Sequence, residues 1–469
     1  MKITIKNLGV LESAEYELGD LTVVCGKNNT GKTYAAYALY GFLDYWGNDY
    51  EFQVDSALIE ELQNNNEVLI TQEQFQNWLP QNLEQASKKY CREQLPKVLG
   101  YSPESLKRFE NCEFCVEVNT TPMIPLFRKK KIMRWKGKDA NNSCSIKTGA
   151  DGKSIKIYQQ YQQTSQKFPA HPTIYLNELI SREIIPYASF ASADRIGAAM
   201  FSNEIRYLRD ELYQKKEFSF KKKIPIKYPL PVSENLNTIR DSLLAPPQLL
   251  QDIQQVFCEL LGGNFEITNG KLYFIPSDNN NNNNNNLSLT VTESSSSVRS
   301  LLSLWLQLCN EIQTSNSPNM FMIDEPEMNL HPVNQRLLAR IFARLVNLGY
   351  KIYITTHSDY IVKELNTLII LNRRNKNSDE VMKQYGYSEK EFLDPNKVRV
   401  YMAQEIETKK METTKKSLKK KTNQSAIPKC TFIRANIDEL GIDLPSFDTT
   451  INEMNRIQME LLAGDDDDE

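Results

Sequence analysis

The residues Gly26-Lys27-Asn28-Asn29-Thr30-Gly31-Lys32-Thr33 set two glycines, a lysine and a hydroxyl at the spacing G-x-x-x-x-G-K-T. A glycine turn of this kind exposes backbone N–H groups that can surround a phosphate chain, and a helix starting at its end adds a favourable dipole. Gly26, Asn28, Asn29, Thr30, Gly31, Lys32 and Thr33 are therefore expected to contact ATP. Lys32 would reach the terminal phosphates, and the Thr33 hydroxyl would be a ligand of Mg²⁺. A second set lies far downstream, in Met320-Phe321-Met322-Ile323-Asp324-Glu325-Pro326-Glu327. Four apolar residues there deliver two carboxylates in succession. Asp324 is expected to hold Mg²⁺ through water, and Glu325 to polarise or orient an attacking water. A third set, Lys351-Ile352-Tyr353-Ile354-Thr355-Thr356-His357-Ser358, repeats the design, with His357 placed to contact the γ-phosphate or that water.

These side chains need strand ends and helix starts to hold them. Leu21–Cys25 reads as a buried strand before the glycine turn, and Tyr34–Tyr40 as the helix after it. Residues 3–7 and 14–18 alternate as half-buried strands around a turn at Gly9. Asp55 to about Phe109 has helical spacing divided by Pro80 and Pro96, and reads as an inserted helical subdomain. From Cys112 to Tyr161, short alternating segments such as Phe114–Val118 and Ser154–Tyr158 predict a small antiparallel sheet. It carries the basic run Arg128–Lys131 and then Arg134-Trp135-Lys136, which suits either a solvated hairpin or a nucleic-acid surface. A helix is expected over Ile174–Ile185, stopped by Pro186, and another over 204–214. Between them Tyr187–Gly197 reads as a strand ending in Asp194-Arg195, a position suited to sensing nucleotide. Helix Pro247–Leu261 ends at Gly262-Gly263, and Asn279–Asn286 reads as a hairpin loop between two strand-like segments. Glu293–Ser300 is a serine-rich turn capping the apolar helix that follows, which reads either as an ordinary N-cap with no ligand or, with its hydroxyls and basic residue, as an anion site.

Composition sets bounds on the rest. A chain of 469 residues with 40% hydrophobic and 25% charged content, net charge −3, reads as an ordinary soluble protein whose bulk charge does not favour nucleic acid. No apolar run reaches the roughly 20 residues of a membrane span, no signal peptide precedes the first strand, and a cytoplasmic location is expected. The nearness of the glycine turn to Met1 predicts that the chain starts at its fold boundary. Eight cysteines are scattered, with only Cys112 and Cys115 closely spaced; they read as reduced thiols rather than as zinc ligands. Lys409–Lys421 reads as a mobile loop or a partner contact, and the acidic tail Asp465–Glu469 as disordered.

The order glycine-turn loop, serine-rich helix start, Ile-Asp-Glu-Pro-Glu and Thr-Thr-His-Ser resembles the ABC-type ATPases of the RecF/OLD-like branch. Asp324-Glu325-Pro326-Glu327-Met328-Asn329-Leu330-His331-Pro332 is the most specific segment. Weaker similarity lies at Ala191–Gly197, Tyr228–Val232 and Ile437–Phe447. The resemblance implies an α/β fold, an ABC-type P-loop NTPase sheet with an antiparallel N-terminal β-layer and inserted helical and small β subdomains. On that scheme 1–50 is the N-terminal ATPase lobe and 51–186 the insertion. Residues 187–290 are the rest of the lobe with the poly-Asn loop, 291–400 the signature and His357 lobe, and 401–469 the extension. It also implies a head-to-tail homodimer or higher oligomer, with ATP and Mg²⁺ between the phosphate loop of one subunit and Ser295, Ser296, Ser297 and Arg299 of the other. Ser297 stands where the family has a glycine, which bears on how closely its backbone approaches the γ-phosphate. No glutamine-type sensing loop is clear, and Asp194 or Arg195 would serve instead.

Similar standalone ATPases belong to bacterial anti-phage systems, PARIS-type and Septu-type among them, in which a neighbouring gene supplies the effector. The segment after Leu371 shows no acidic Toprim-like pattern, and the chain lacks the heptads of a long coiled coil. The reading that results is an ATPase sensor controlling a separate effector, with no membrane partner. The alternative is a RecF-like DNA clamp in repair or replication, holding phosphates at 128–138 and 409–421.

Overall fold

A computed structural model describes residues 1–101, 107–119, 132–136, 143–148, 154–160, 184–201, 228–242, 251–268, 271–277, 288–314, 320–406, 428–443 and 453, 456 and 457. The expected helix over 204–214, the basic run 128–131, the poly-Asn loop, the lysine-rich segment and the acidic tail lie outside those residues. So does most of the expected helix over 174–185.

One nine-stranded mixed sheet organises the chain. Its strands are β1 (Lys2–Leu8), β2 (Leu11–Glu17), β3 (Leu21–Gly26), β4 (Glu113–Glu117) and β5 (Ala188–Ala191). They continue with β6 (Met320–Asp324), β7 (Lys351–Thr356), β8 (Val398–Glu405) and β9 (Cys430–Arg434). The spatial order is β4-β1-β2-β9-β8-β3-β7-β6-β5. From β8 to β5 every pairing is parallel, whereas β4-β1-β2 is antiparallel and β9 runs antiparallel to β8. An antiparallel layer thus continues a parallel core, as the sequence led one to expect.

Parallel strands covered on both faces read as continuous apolar runs. In β3, β6 and β7 the alternate residues Val24, Met320, Met322 and Tyr353 join one core cluster with helix α1 (Lys32–Asn48). Leu21, Val23, Phe321, Ile323, Ile352 and Ile354 join the other, with α4 (Ser296–Thr314), α5 (Pro332–Asn347) and α6 (Asp359–Asn372). Helix α3 (Leu230–Ser242) fixes the end of β5: Asn235 Nδ2 donates to Phe190 O at 2.6 Å, and its Oδ1 accepts from Ser192 N at 3.1 Å.

Two expectations about the insertion need correction. The stretch 55–109 is not helical throughout, because Glu67–Thr71 is a strand in a four-stranded sheet with 132–136, 143–148 and 154–160. Nor does Pro80 divide it. It lies inside helix α2 (Gln72–Lys89), which a reciprocal Thr71–Gln74 capping box starts. Burial of Phe75, Trp78, Leu79 and Leu83 offsets the one helical hydrogen bond that a proline cannot make. The second correction concerns Phe114–Val118, read with Ser154–Tyr158 as one small sheet. Residues 113–117 instead pair antiparallel with β1 at the edge of the main sheet.

Candidate functional site

Parallel registry brings the chemistry together. Asp324 at the end of β6 lies opposite Thr355 in β7, Thr356 opposite Cys25 in β3, and Gly26 opposite Ala403 in β8. All these strands point the same way, so their carboxyl ends form one edge, the place where ligands meet open α/β sheets.

The glycine turn needs its glycines for different reasons. Gly26 has φ +135° and a Cβ there would run into the carbonyl oxygen of Ala403. Gly31, at the N-cap of α1, has φ +88°, and its Cβ would sit 2.6 Å from Leu11 Cγ. Asn29 also takes a left-handed φ of 61°, which asparagine tolerates better than most residues. Thr30 Oγ1 donates to Lys27 O at 2.8 Å, tightening the loop. Lys32 Nζ folds over it, donating to Gly26 O at 3.0 Å and Lys27 O at 2.7 Å. Burial pulls the Lys32 ammonium down to about 8, against the raising effect of Glu325 and Asp324.

Asp324 is fully buried. Its Oδ1 accepts from Thr33 Oγ1 at 3.2 Å and from the Thr355 hydroxyl, while Oδ2 has no hydrogen-bond partner. Desolvation pushes this carboxyl up to about 6. A buried carboxylate oxygen without a donor, beside a threonine hydroxyl at the start of a helix, suits a hard divalent cation with oxygen ligands. Thr33 and Asp324 therefore fit Mg²⁺.

Glu325 follows at φ 49°, a left-handed conformation unusual for glutamate. Its N–H donates to Thr355 O at 3.0 Å, and its Oε1 lies 3.3 Å from His357 Nε2. That contact holds the Glu325 carboxyl below its ordinary range despite partial burial. Next to it, Glu327 Oε1 accepts from His357 N at 2.6 Å, which fixes the backbone that presents the imidazole.

A cleft of about 1030 Å³ opens over this edge. It is lined by residues 28–34 of the glycine turn and α1, by Glu325 and His357, and by 7–10, Tyr101, Arg108 and Phe109. Tyr34 and Tyr101 share a hydrogen bond at 2.9 Å between hydroxyls, and Tyr101 meets Phe109 edge-on at 5.1 Å. Lys32, Thr33, Asp324, Glu325 and His357 are therefore brought together at one edge.

The serine-rich turn lies elsewhere. Ser295 Oγ accepts from Val298 N at 3.3 Å, capping α4, and shares a 2.8 Å hydrogen bond with Ser297 Oγ. Ser295 and Ser296 are exposed. Arg299 turns back onto Ser294 O and Thr292 O. None of these residues lines the cleft of its own chain. Asp194 is exposed on the turn after β5, whereas Arg195 is fully buried, donating to backbone and to Ser300 rather than facing the cleft. Sequence reasoning assigned no role to Thr355, Tyr101 or Arg108. Thr355 could have been found only by knowing which strands pair. Tyr101 and Arg108 belong to a stretch whose helical composition hid their place at the cleft.

The family model described as an AAA ATPase domain, AAA_15, matches residues 1–362. Among solved structures, the chain is similar to the SMC head bound to the C-winged helix domain of ScpA, at 12% identity and TM-score 0.35, covering 77% of this chain and 91% of that one. It is also similar to the SMC head domain from Thermotoga maritima, at 11% identity and TM-score 0.27, covering 77% and 90%. No curated protein matches the chain. Among the described residues, no helix is long and apolar enough to cross a membrane.

Proposed function

Because the chain belongs to the AAA_15 family of AAA ATPase domains, we propose that it binds ATP with Mg²⁺ and hydrolyses it between two copies of itself, so controlling a separate effector. The observation that carries this reading is the meeting of Lys32, Thr33, Asp324, Glu325 and His357 at one sheet edge.

The loop N–H groups and Lys32 bind the phosphates, and the lining at residues 7–10, Tyr101, Arg108 and Phe109 takes the base and ribose. Thr33 and Asp324 would hold Mg²⁺, which would supply positive charge beside the transferring phosphoryl group. Glu325 accepts a hydrogen bond from the attacking water and takes its proton as the water oxygen bonds to the γ-phosphorus and the bond from that phosphorus to the bridging oxygen breaks, leaving ADP and phosphate. The 3.3 Å contact with His357 Nε2 orients the carboxylate towards the water it is to position. The turn at Ser295–Arg299, set apart from its own chain's cleft, is supplied to the site of the partner copy. The resemblance of the motif order to RecF/OLD-like ATPases supports a regulatory role in anti-phage defence. The DNA-clamp alternative rests on 128–138 and 409–421, most of which lie outside the described residues.

The test is hydrolysis and oligomeric state with substituted chains. Glu325→Gln should bind ATP, lose turnover by about 10²-fold or more, and accumulate as an ATP-dependent dimer by light scattering. Lys32→Ala should lose ATP affinity itself. Wild-type turnover in Glu325→Gln, or a monomer at saturating ATP, would sink the reading. Salt-sensitive binding of duplex DNA, lost on neutralising Lys129–Lys131, would turn it towards the clamp.

A further inference from the structure

Arg195 makes more directed contacts than any role at the cleft would need. Its Nε donates to Ser300 O at 2.9 Å and its Nη2 to Ser300 Oγ at 3.1 Å, both in the first turns of α4. The same guanidinium donates through Nη1 to Asp324 O at 2.8 Å and Ser192 O at 3.1 Å, and through Nη2 to Glu325 O at 2.8 Å. Every acceptor but one is a backbone carbonyl, and none is a carboxylate. The fork thus ties together the end of β5, the carboxyl end of β6 and the helix that begins at the serine-rich turn.

Glu325 is the residue this arrangement constrains most. Its amide N–H is held by Thr355 O, its carbonyl by Arg195 and by Met328 N at 3.2 Å, and between them its φ is 49°. A left-handed glutamate persists only where its surroundings over-determine it. Arg195 is the one side chain, among the described residues, that bonds both to that peptide and to α4. A guanidinium suits the task because its planar, forked donors reach several fixed acceptors at once, which an ammonium cannot do.

We infer that Arg195 is a positioning residue that sets the backbone of Glu325 and transmits to it any movement of α4 when the serine-rich turn meets the partner copy. This rests on the hydrolysis reading given above. Seating of Ser295–Ser297 against a second subunit shifts the first turns of α4. Ser300, one turn further on, moves with them. Arg195 passes that shift to the carbonyls of Asp324 and Glu325, so the carboxylate reaches its water only in the closed assembly. Asp194, beside it in sequence but exposed, takes no part.

The test separates ATP binding from turnover in Arg195→Lys, which keeps the charge but not the fork. A misplacement of the water-orienting carboxylate costs about 10- to 100-fold in rate. Turnover should therefore fall by that factor, while affinity for a fluorescent ATP analogue stays within about threefold, since the glycine turn is untouched. In a Glu325→Gln background the same substitution should cause no further loss of residual turnover, because both changes act on one group. Ser300→Ala, which deletes one small acceptor and spares the fold, should show the same split at smaller size. Arg195→Lys that weakens binding and turnover together, or that lowers Glu325→Gln as much as it lowers the parent, overturns the inference. Unchanged turnover in either Arg195→Lys or Ser300→Ala overturns it too. Wild-type turnover in Glu325→Gln alone would instead strike the hydrolysis reading itself.

Discussion

Thr355→Val is the most informative perturbation of the cation site. Thr355 is fully buried in β7, opposite Asp324, and its hydroxyl donates to Asp324 Oδ1. Valine keeps the shape and removes the donor. Asp324 would then keep only Thr33 at Oδ1 and nothing at Oδ2. A hydrogen bond to an ionised group contributes about 1.5–3 kcal/mol. The Thr355 bond is one of the influences holding the Asp324 carboxyl down against its burial, so its loss moves that group further above about 6. The ionised form that binds Mg²⁺ becomes scarcer and less well aimed. At 1.36 kcal/mol per tenfold, the Mg²⁺ concentration at half-maximal hydrolysis should rise by about 10- to 150-fold. The assay is steady-state ATP turnover against Mg²⁺ at neutral pH, with ATP-analogue binding in a chelator as control. Binding without Mg²⁺ should be unchanged. An unmoved Mg²⁺ midpoint in a folded variant would refute the assignment of Asp324 as the cation ligand.

Other consequences are simpler to read. Gly26→Ala should destabilise the fold by about 2–5 kcal/mol in denaturant unfolding, because its φ suits glycine and the new methyl meets a fixed carbonyl; a loss under about 1 kcal/mol would show that the loop can yield. Tyr101→Ala should weaken ATP binding by about 5- to 20-fold through lost ring contact yet leave tripolyphosphate affinity alone, as calorimetry would show; equal losses would place the base elsewhere. Glu364 is buried between Arg336, 2.6 Å away, and Arg340, 2.8 Å away. Glu364→Leu should cost about 3 kcal/mol, the lower end for a broken buried pair because Arg336 reaches solvent, with most of it recovered by adding Arg340→Met.

The parts of the site that were legible in the sequence were those encoded locally. A glycine turn between a strand and a helix, or two acids at the end of four apolar residues, carries its geometry in adjacent positions, so Lys32, Thr33, Asp324, Glu325 and His357 could be named before any fold was known. What stayed hidden depends on pairing across the chain. Thr355 gains its role only by lying opposite Asp324. Arg195 sits at a strand end that suggested nucleotide sensing, and nothing local shows that its guanidinium turns inward to carbonyls more than a hundred residues away. Pro80 looked like a boundary because a proline usually ends a helix, yet tertiary packing on both sides of it overrode the local penalty. Strand β4 alternates as well as any strand in the insertion, and alternation cannot say which neighbour it will find.

The insertion of β8 between β3 and β9 has a consequence for the order of synthesis. The strand that delivers the glycine turn is made before both of its neighbours, and the second of them, Val398–Glu405, arrives only after Asp324 and His357 have been made. Until then Leu21–Gly26 has a bare edge on that side, and Ala403 is not there to confine Gly26. A nascent chain short of β8 therefore holds the sequence of a phosphate loop without the strand that confines it, and would display one open edge of a hydrophobic strand for chaperones to shield. A product truncated before β8 would carry the motif without the strand that confines its first glycine.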